Sequence, residues 1–157
     1  MKVELWMVGK TNFDYLKDGI AIYEKRLKHY LSFELVTFPD LKNAKNLNPN
    51  QIKLNEGKSI IQKVQKDDFL ILLDERGKSF NSVEFASFME KKLQFSKKRI
   101  IFLIGGAYGF SEELYNRADT KIALSKMTFS HQMVRLFFLE QLYRAMTILN
   151  REPYHNQ

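Results

Sequence analysis

"FLILLD", Phe69 to Asp74, sets five apolar residues in a row before its first charge. Alternation would mark a strand with one wet face, whereas a short continuous run predicts a strand covered on both faces, as in a parallel sheet. "RIIFLI", Arg99 to Ile104, repeats the pattern. A sheet buried on both sides needs helices on both sides, so these two stretches point to an α/β fold.

The flanking sequence supplies the other elements. Lys2 to Val8 reads as a first strand stopped by Gly9, and Leu16, Ile20, Tyr23, Leu27 and Tyr30 then recur at helical spacing. "FELVTF" (Phe33 to Phe38) is a second strand ended by Pro39, and the Asn-rich "DLKNAKNLNPNQ" after it reads as a mobile loop. Ile52, Ile60, Ile61 and Val64 give a second helix, weakened by Gly57, before the Phe69–Asp74 strand. "ERGK" reads as the turn that closes that strand. Asn81 and Glu84 form a capping-box pattern ahead of the stripe Phe85, Phe88, Met89 and Leu93. After Arg99 to Ile104 comes "GGAYGF", then a short helix capped by Ser111, a fifth strand Lys121 to Ser125, and a last helix from near Ser130 to about Asn150. The expectation is one domain over residues 1–157: a parallel sheet of about five strands with helices on both faces.

Composition narrows the function. No apolar run nears the roughly 20 residues that cross a bilayer, and the first residues lack a signal-peptide pattern, so a cytoplasmic protein without membrane contact is expected. Without cysteine, disulfides, thiolate metal sites and cysteine nucleophiles are all excluded, and three scattered histidines do not make a metal cluster. A net charge of +7 attracts polyanions, nucleic acid first. The basic clusters, Lys25, Arg26 and Lys28, then Lys91, Lys92, Lys97, Lys98 and Arg99, fit that role or that of solvated helix faces.

The last helix is apolar almost all round. His131, Phe138, Leu142, Ala145 and Leu149 share one side, and Glu140, Arg144 and Thr147 form a narrow polar ridge flanked by Met133, Leu136 and Phe137. One face serves its own sheet, so the other implies a partner, most simply a second copy.

In parallel α/β sheets ligands sit beyond the carboxyl ends of the strands. Three stretches there carry marked chemistry: "LLDERGK" (Leu72 to Lys78), "IGGAYGF" (Ile104 to Phe110) and "LSKMTFSHQMVR" (Leu124 to Arg135). The glycine loop matches neither the dinucleotide fingerprint nor a phosphate-binding loop. Taken singly, each is a charged turn, a tight turn or a capped helix start.

Taken together, "LLDERGK", "FLIGGAYGF", "LSKMTFSHQMVRLFFLEQLYRA" and a terminal "PYH", in this order, make the sequence strongly resemble the ribosomal RNA large subunit methyltransferase H family, small members of the SPOUT methyltransferases. The resemblance spans essentially the whole chain, including "VGK" (Val8 to Lys10). It implies a parallel α/β fold whose C-terminal part threads a loop as a deep trefoil knot, and a homodimer. It implies methyl transfer from S-adenosylmethionine to N3 of a pseudouridine in large-subunit rRNA of assembled ribosomes. By position it implies that Leu73, Gly105, Leu124, Ser125, Lys126, Met127, Thr128 and Phe129 contact S-adenosylmethionine.

Methylating an imide nitrogen requires its proton to leave. Histidine is the side-chain type that exchanges protons near neutral pH, which makes His131 the first candidate base and His155 the second. Arg135 and Arg144 are candidates to hold phosphate or to stabilise charge on the uracil carbonyls, and Tyr154 to stack on a base. Glu140, four residues before Arg144, reads as an ordinary helix ion pair. The absence of cysteine disfavours methylation at pyrimidine carbon, which commonly relies on a thiolate. The resemblance further implies that the tail completes the substrate site, across the dimer. Two positions depart from the family: Ser130 stands where many members have proline, and Asn156 where a basic residue often follows "YH". The alternatives are a SPOUT enzyme of another RNA, such as tRNA, and a non-catalytic RNA-binding dimer.

Overall fold

The computed structural model describes residues 1–157 except Asn43, residues 95–97 and Gln157. Lys97 of the second basic cluster therefore lies outside the described residues. The strands are β1 (Lys2–Val8), β2 (Ser32–Phe38), β3 (Phe69–Ser79), β4 (Arg99–Ile104) and β5 (Thr120–Ala123). The helices are α1 (Asp14–Leu27), α2 (Pro49–Ile61), α3 (Ser82–Gln94), α4 (Glu112–Arg117) and α5 (Met133–Leu149). All the strand pairs are parallel, in the order β2-β1-β4-β3-β5.

The continuous apolar runs are explained by this order. β1, β4 and β3 lie inside the sheet, so successive residues enter two different cores. Val3, Leu5, Met7, Ile71, Ile100 and Phe102 face the layer of α1, α5 and α3, where they meet Leu16, Phe85 and Phe138. Trp6, Val8, Leu70, Leu72, Ile101 and Leu103 face α2 and α4, against Ile60 and Leu114. The central helix of the first layer is α5, packed on both α1 and α3. It buries Phe138, Leu139, Leu142 and Met146, each large side chain contributing roughly 1.5–3 kcal/mol.

Helix starts follow their local chemistry. Asn48 and Gln51 make a reciprocal capping box with Pro49 in the first turn, so the end of the Asn-rich stretch is the ordered start of α2 rather than loop. Asn81 and Glu84 form the expected box, and Ser111 Oγ accepts from Leu114 N. Ser130 Oγ accepts from Met133 N at 3.1 Å, so the serine caps although regular helix begins only at Met133. Thr147 departs from the expected polar ridge: it is fully buried, its hydroxyl donating to the Arg144 carbonyl.

The "ERGK" turn is also more than a strand end. Ile122 of β5 is the parallel partner of both Leu73 and Lys78. One strand edge accepts one neighbour at a given residue, so Leu73 and Lys78 flank β5 on opposite edges and residues 74–77 arch across it. A Cβ at Gly77 would lie 2.6 Å from Ile122 N and from Lys121 C, which is why the arch has glycine at its closest approach.

Candidate functional site

The helices return the chain to the amino ends of the strands, so the loops leaving β3, β4 and β5 gather at the opposite, carboxyl end of the sheet. Between them lies a cleft of about 490 Å³, within the range of small-molecule sites. The β3 arch contributes Leu73 to Arg76, the glycine loop contributes Gly105 to Phe110, and the segment from Leu124 to His131 forms the third wall. Of the positions assigned to a cofactor, Leu73, Gly105, Leu124, Ser125, Met127, Thr128 and Phe129 line it; Lys126 is exposed and does not.

Side-chain contacts tie the walls together. Thr128 Oγ1 donates to Glu75 at 2.5 Å, joining the third wall to the arch. The Tyr115 hydroxyl donates to Asp74, and burial together with that carboxylate pushes the phenol up to about 12, so it stays a donor. Gly105 keeps the floor open, since a Cβ there would press on the Phe110 ring at 3.1 Å. Leu73, Ile104, Phe110 and Phe129 give the cleft an apolar lining beside the polar Asp74, Glu75, Ser125 and Thr128.

A second cluster forms where the C-terminal tail folds back on α5 and α1. Glu140 Oε1 accepts from Arg144 Nε and Nη2 at 3.1 and 2.6 Å and from the Tyr154 hydroxyl at 3.0 Å. Tyr154 also meets Tyr23 hydroxyl to hydroxyl at 3.3 Å and lies under the Arg144 guanidinium. Burial and these partners raise its phenol well above the ordinary value. Arg144 Nη1 lies 3.1 Å from His155 Nδ1. A guanidinium only donates, so Nδ1 is the acceptor and the ring presents Nε2–H. Arg144 itself is held charged by Glu140.

The two clusters stand at opposite ends of α5. Val134 lines the cleft and Arg144 follows ten residues later, roughly 15 Å along the helix. Within one chain the tail therefore lies far from the cleft.

A family model described as "Predicted SPOUT methyltransferase" matches residues 1–155. The chain belongs to the SPOUT methyltransferase family. Proteins named ribosomal RNA large subunit methyltransferase H are similar to it along their full lengths. That of Christiangramia forsetii is 57% identical over 157 residues, all of both chains, and that of Parabacteroides distasonis 53% over the same span. That of Cytophaga hutchinsonii is 56% identical over 156 residues, covering 99% of this chain and all of its own. Two solved structures share the fold. One is a probable methylase family protein from Haemophilus influenzae, with TM-score 0.52 and 13% identity over 97% of this chain and 69% of its own. The other is a probable methyltransferase from Bordetella pertussis, with TM-score 0.54 and 12% identity over 92% and 93%.

Arg135 has a different setting in this SPOUT methyltransferase from the one its sequence position invites. It is fully buried and outside the cleft. Its guanidinium donates to the carbonyls of Val8 and Gly9, to Thr11 Oγ1 and to the His131 carbonyl. Burial lowers its pKa, with Asp40 opposing. The geometry is that of a clamp joining the end of β1 to the start of α5, with four of its five N–H hydrogens committed. His131, by contrast, lines the cleft. Sequence reasoning missed Tyr115, Glu75 and the role of Glu140 as the hub of the tail. The Glu140–Arg144 spacing was visible, but the arrival of Tyr154 on the same oxygen depends on the fold-back of the tail. Among the described residues no group of three or more acidic or histidine side chains is placed to hold a metal, and no helix is long and apolar enough to cross a membrane.

Proposed function

We propose that this SPOUT methyltransferase transfers a methyl group from S-adenosylmethionine to N3 of a pseudouridine in large-subunit ribosomal RNA, acting on assembled ribosomes in the cytoplasm as a homodimer. The observation that carries the reading is the convergence of Leu73, Gly105 and the Leu124–Phe129 segment on one cleft at three adjacent strand ends. The full-length relatives named for the large-subunit RNA supply the substrate class. When bound, S-adenosylmethionine supplies an electrophilic methyl on a positively charged sulfur.

The residues of the chain do the rest. The cleft walls orient that group and exclude water. As the N3–methyl bond forms, the N3–H proton must leave, and we assign that proton to His131 because it lines the cleft. Arg144 and the Nε2–H of His155 offer donors to the uracil carbonyls, and Tyr154, whose ring carries the Arg144 guanidinium on one side, is assigned to stack on the base with the other.

Because the tail lies at the far end of α5, we assign it to the cleft of a second copy running antiparallel to the first. Exposed apolar side chains support such a contact: Phe13 and Tyr15 at the start of α1, Phe129 and Phe137 beside the start of α5. Twofold symmetry then gives two equivalent composite sites. The arch over β5, flanked by Leu73 and Lys78, supports a trefoil knot in which the C-terminal part of the chain passes through a loop. The test is transfer of labelled methyl from S-adenosylmethionine to ribosomes lacking the modification. Label in large-subunit RNA is expected; saturable cofactor binding without transfer to any RNA would overturn the reading.

A further inference from the structure

We propose that the C-terminal end of α1, together with Arg151, is a phosphate-binding surface that holds the RNA backbone beside the catalytic tail. The proposal rests on the RNA methyltransferase reading and concerns residues outside the cleft and the tail. Lys25, Arg26, Lys28 and His29 are all exposed at this corner, as is Arg151 where the chain leaves α5. Arg144 is paired with Glu140, Lys28 approaches Glu24 only at 3.8 Å, and Glu152 accepts from the Tyr30 hydroxyl. Lys25, Arg26 and Arg151 have no carboxylate partner among the described residues. The corner thus carries an excess of unpaired cations, as a polyanion requires.

Its placement distinguishes it from an ordinary solvated helix face. The Arg26 guanidinium lies 5.3 Å from the Tyr23 ring centroid and 5.4 Å from that of Tyr143. Tyr143 in turn packs edge-on against Tyr154 at 4.8 Å, and Tyr23 reaches the Tyr154 hydroxyl. One layer of tyrosines therefore fixes the basic corner against the tail that receives the base. An RNA strand whose base stacks at Tyr154 runs its neighbouring phosphates over this corner. A stem-loop, with its base exposed and its backbone continuous on either side, fits both features.

The experiment measures binding of a fluorescein-labelled stem-loop RNA to the full-length protein across a salt series, alongside methylation of unmodified ribosomes. Lys25→Ala/Lys28→Ala is expected to lower the slope of log K against log salt by about 1.4 to 1.8, and to weaken binding about tenfold or more at 0.1 M salt. S-adenosylmethionine affinity by calorimetry is expected to stay at the wild-type value, as is RNA binding by Lys58→Ala/Lys66→Ala, a pair of exposed lysines away from this corner. An unchanged slope in Lys25→Ala/Lys28→Ala, or an equal fall in the control pair, would overturn the proposal. A raised KM for ribosomes with unaltered RNA affinity would also overturn it, showing that the surface meets a ribosomal protein instead. Wild-type protein that neither binds the RNA nor methylates ribosomes would overturn the enzymatic reading itself, a result separable from all of these.

Discussion

Arg135 and Asp68 show how much of this chain's charged chemistry is structural. Arg135 satisfies two carbonyls at the end of β1 from within α5, so Arg135→Met leaves buried acceptors without donors. The expected loss is about 2–4 kcal/mol, read by denaturant unfolding. Asp68, fully buried, takes a bidentate contact from Arg99 at 2.9 and 2.6 Å, and Arg99 also reaches Glu4. Burial alone would raise the Asp68 pKa, but Arg99 and the Gln65 N–H outweigh it and hold the carboxyl below its usual range. A depressed native pKa contributes stability that is complete above the unfolded value and is lost as pH falls through the native one. Asp68→Asn should therefore cost about 3 kcal/mol near neutrality, with its gap to wild type narrowing below about pH 4 in thermal melts. A constant gap would contradict this account. None of these partners was legible in sequence. Residue type and a basic balance were visible, but Arg135 and Val8 meet only because α5 packs across the sheet.

The elements themselves were largely legible, because local chemistry and packing agree. Leu70 to Leu72 and Ile100 to Ile104 are buried against both layers, and the Asn81 and Ser111 caps form as their spacing indicates. What stayed hidden was any feature set by a distant strand. β3 continues to Ser79 because Lys78 and Ser79 pair with the far edge of β5, a contact no local pattern carries. The resemblance pointed to positions that gather along one cleft, Lys126 excepted, while periodicity alone gave only three turns. The tail was legible as residue types and illegible as a cluster. Its hub yields a prediction: Tyr154→Phe removes the hydroxyl that bonds Glu140 and meets Tyr23, and should lower kcat about tenfold. His155→Ala should lower it about a hundredfold. In both, S-adenosylmethionine affinity by calorimetry should remain that of wild type, and a parallel loss of cofactor binding would contradict the assignment of the tail to the substrate rather than the cofactor.

At the scale of the whole molecule, the separation of cleft and tail along α5 is the ground for proposing an active unit of two chains. Mixing His155→Ala with Gly105→Trp, which fills the cleft floor, tests that arrangement after subunit exchange. Each homodimer is inactive, but a heterodimer keeps one site with an intact cleft and an intact tail. Random pairing should restore about one quarter of wild-type activity. Recovery at the level of the inactive parents would mean that each chain completes its own site. The global features that sequence left open, the arch over β5 and the basic corner beside the tail, both depend on how α5 and the tail return to the rest of the chain. The proposed activity is defined by the atom that receives the methyl. The most direct measurement is nucleoside mass spectrometry of RNA from ribosomes lacking the modification, incubated with the protein and S-adenosylmethionine. It should show one methyl per large subunit, on N3 of a pseudouridine; methyl on transfer RNA, on a carbon or ribose oxygen, or on no RNA at all would contradict it.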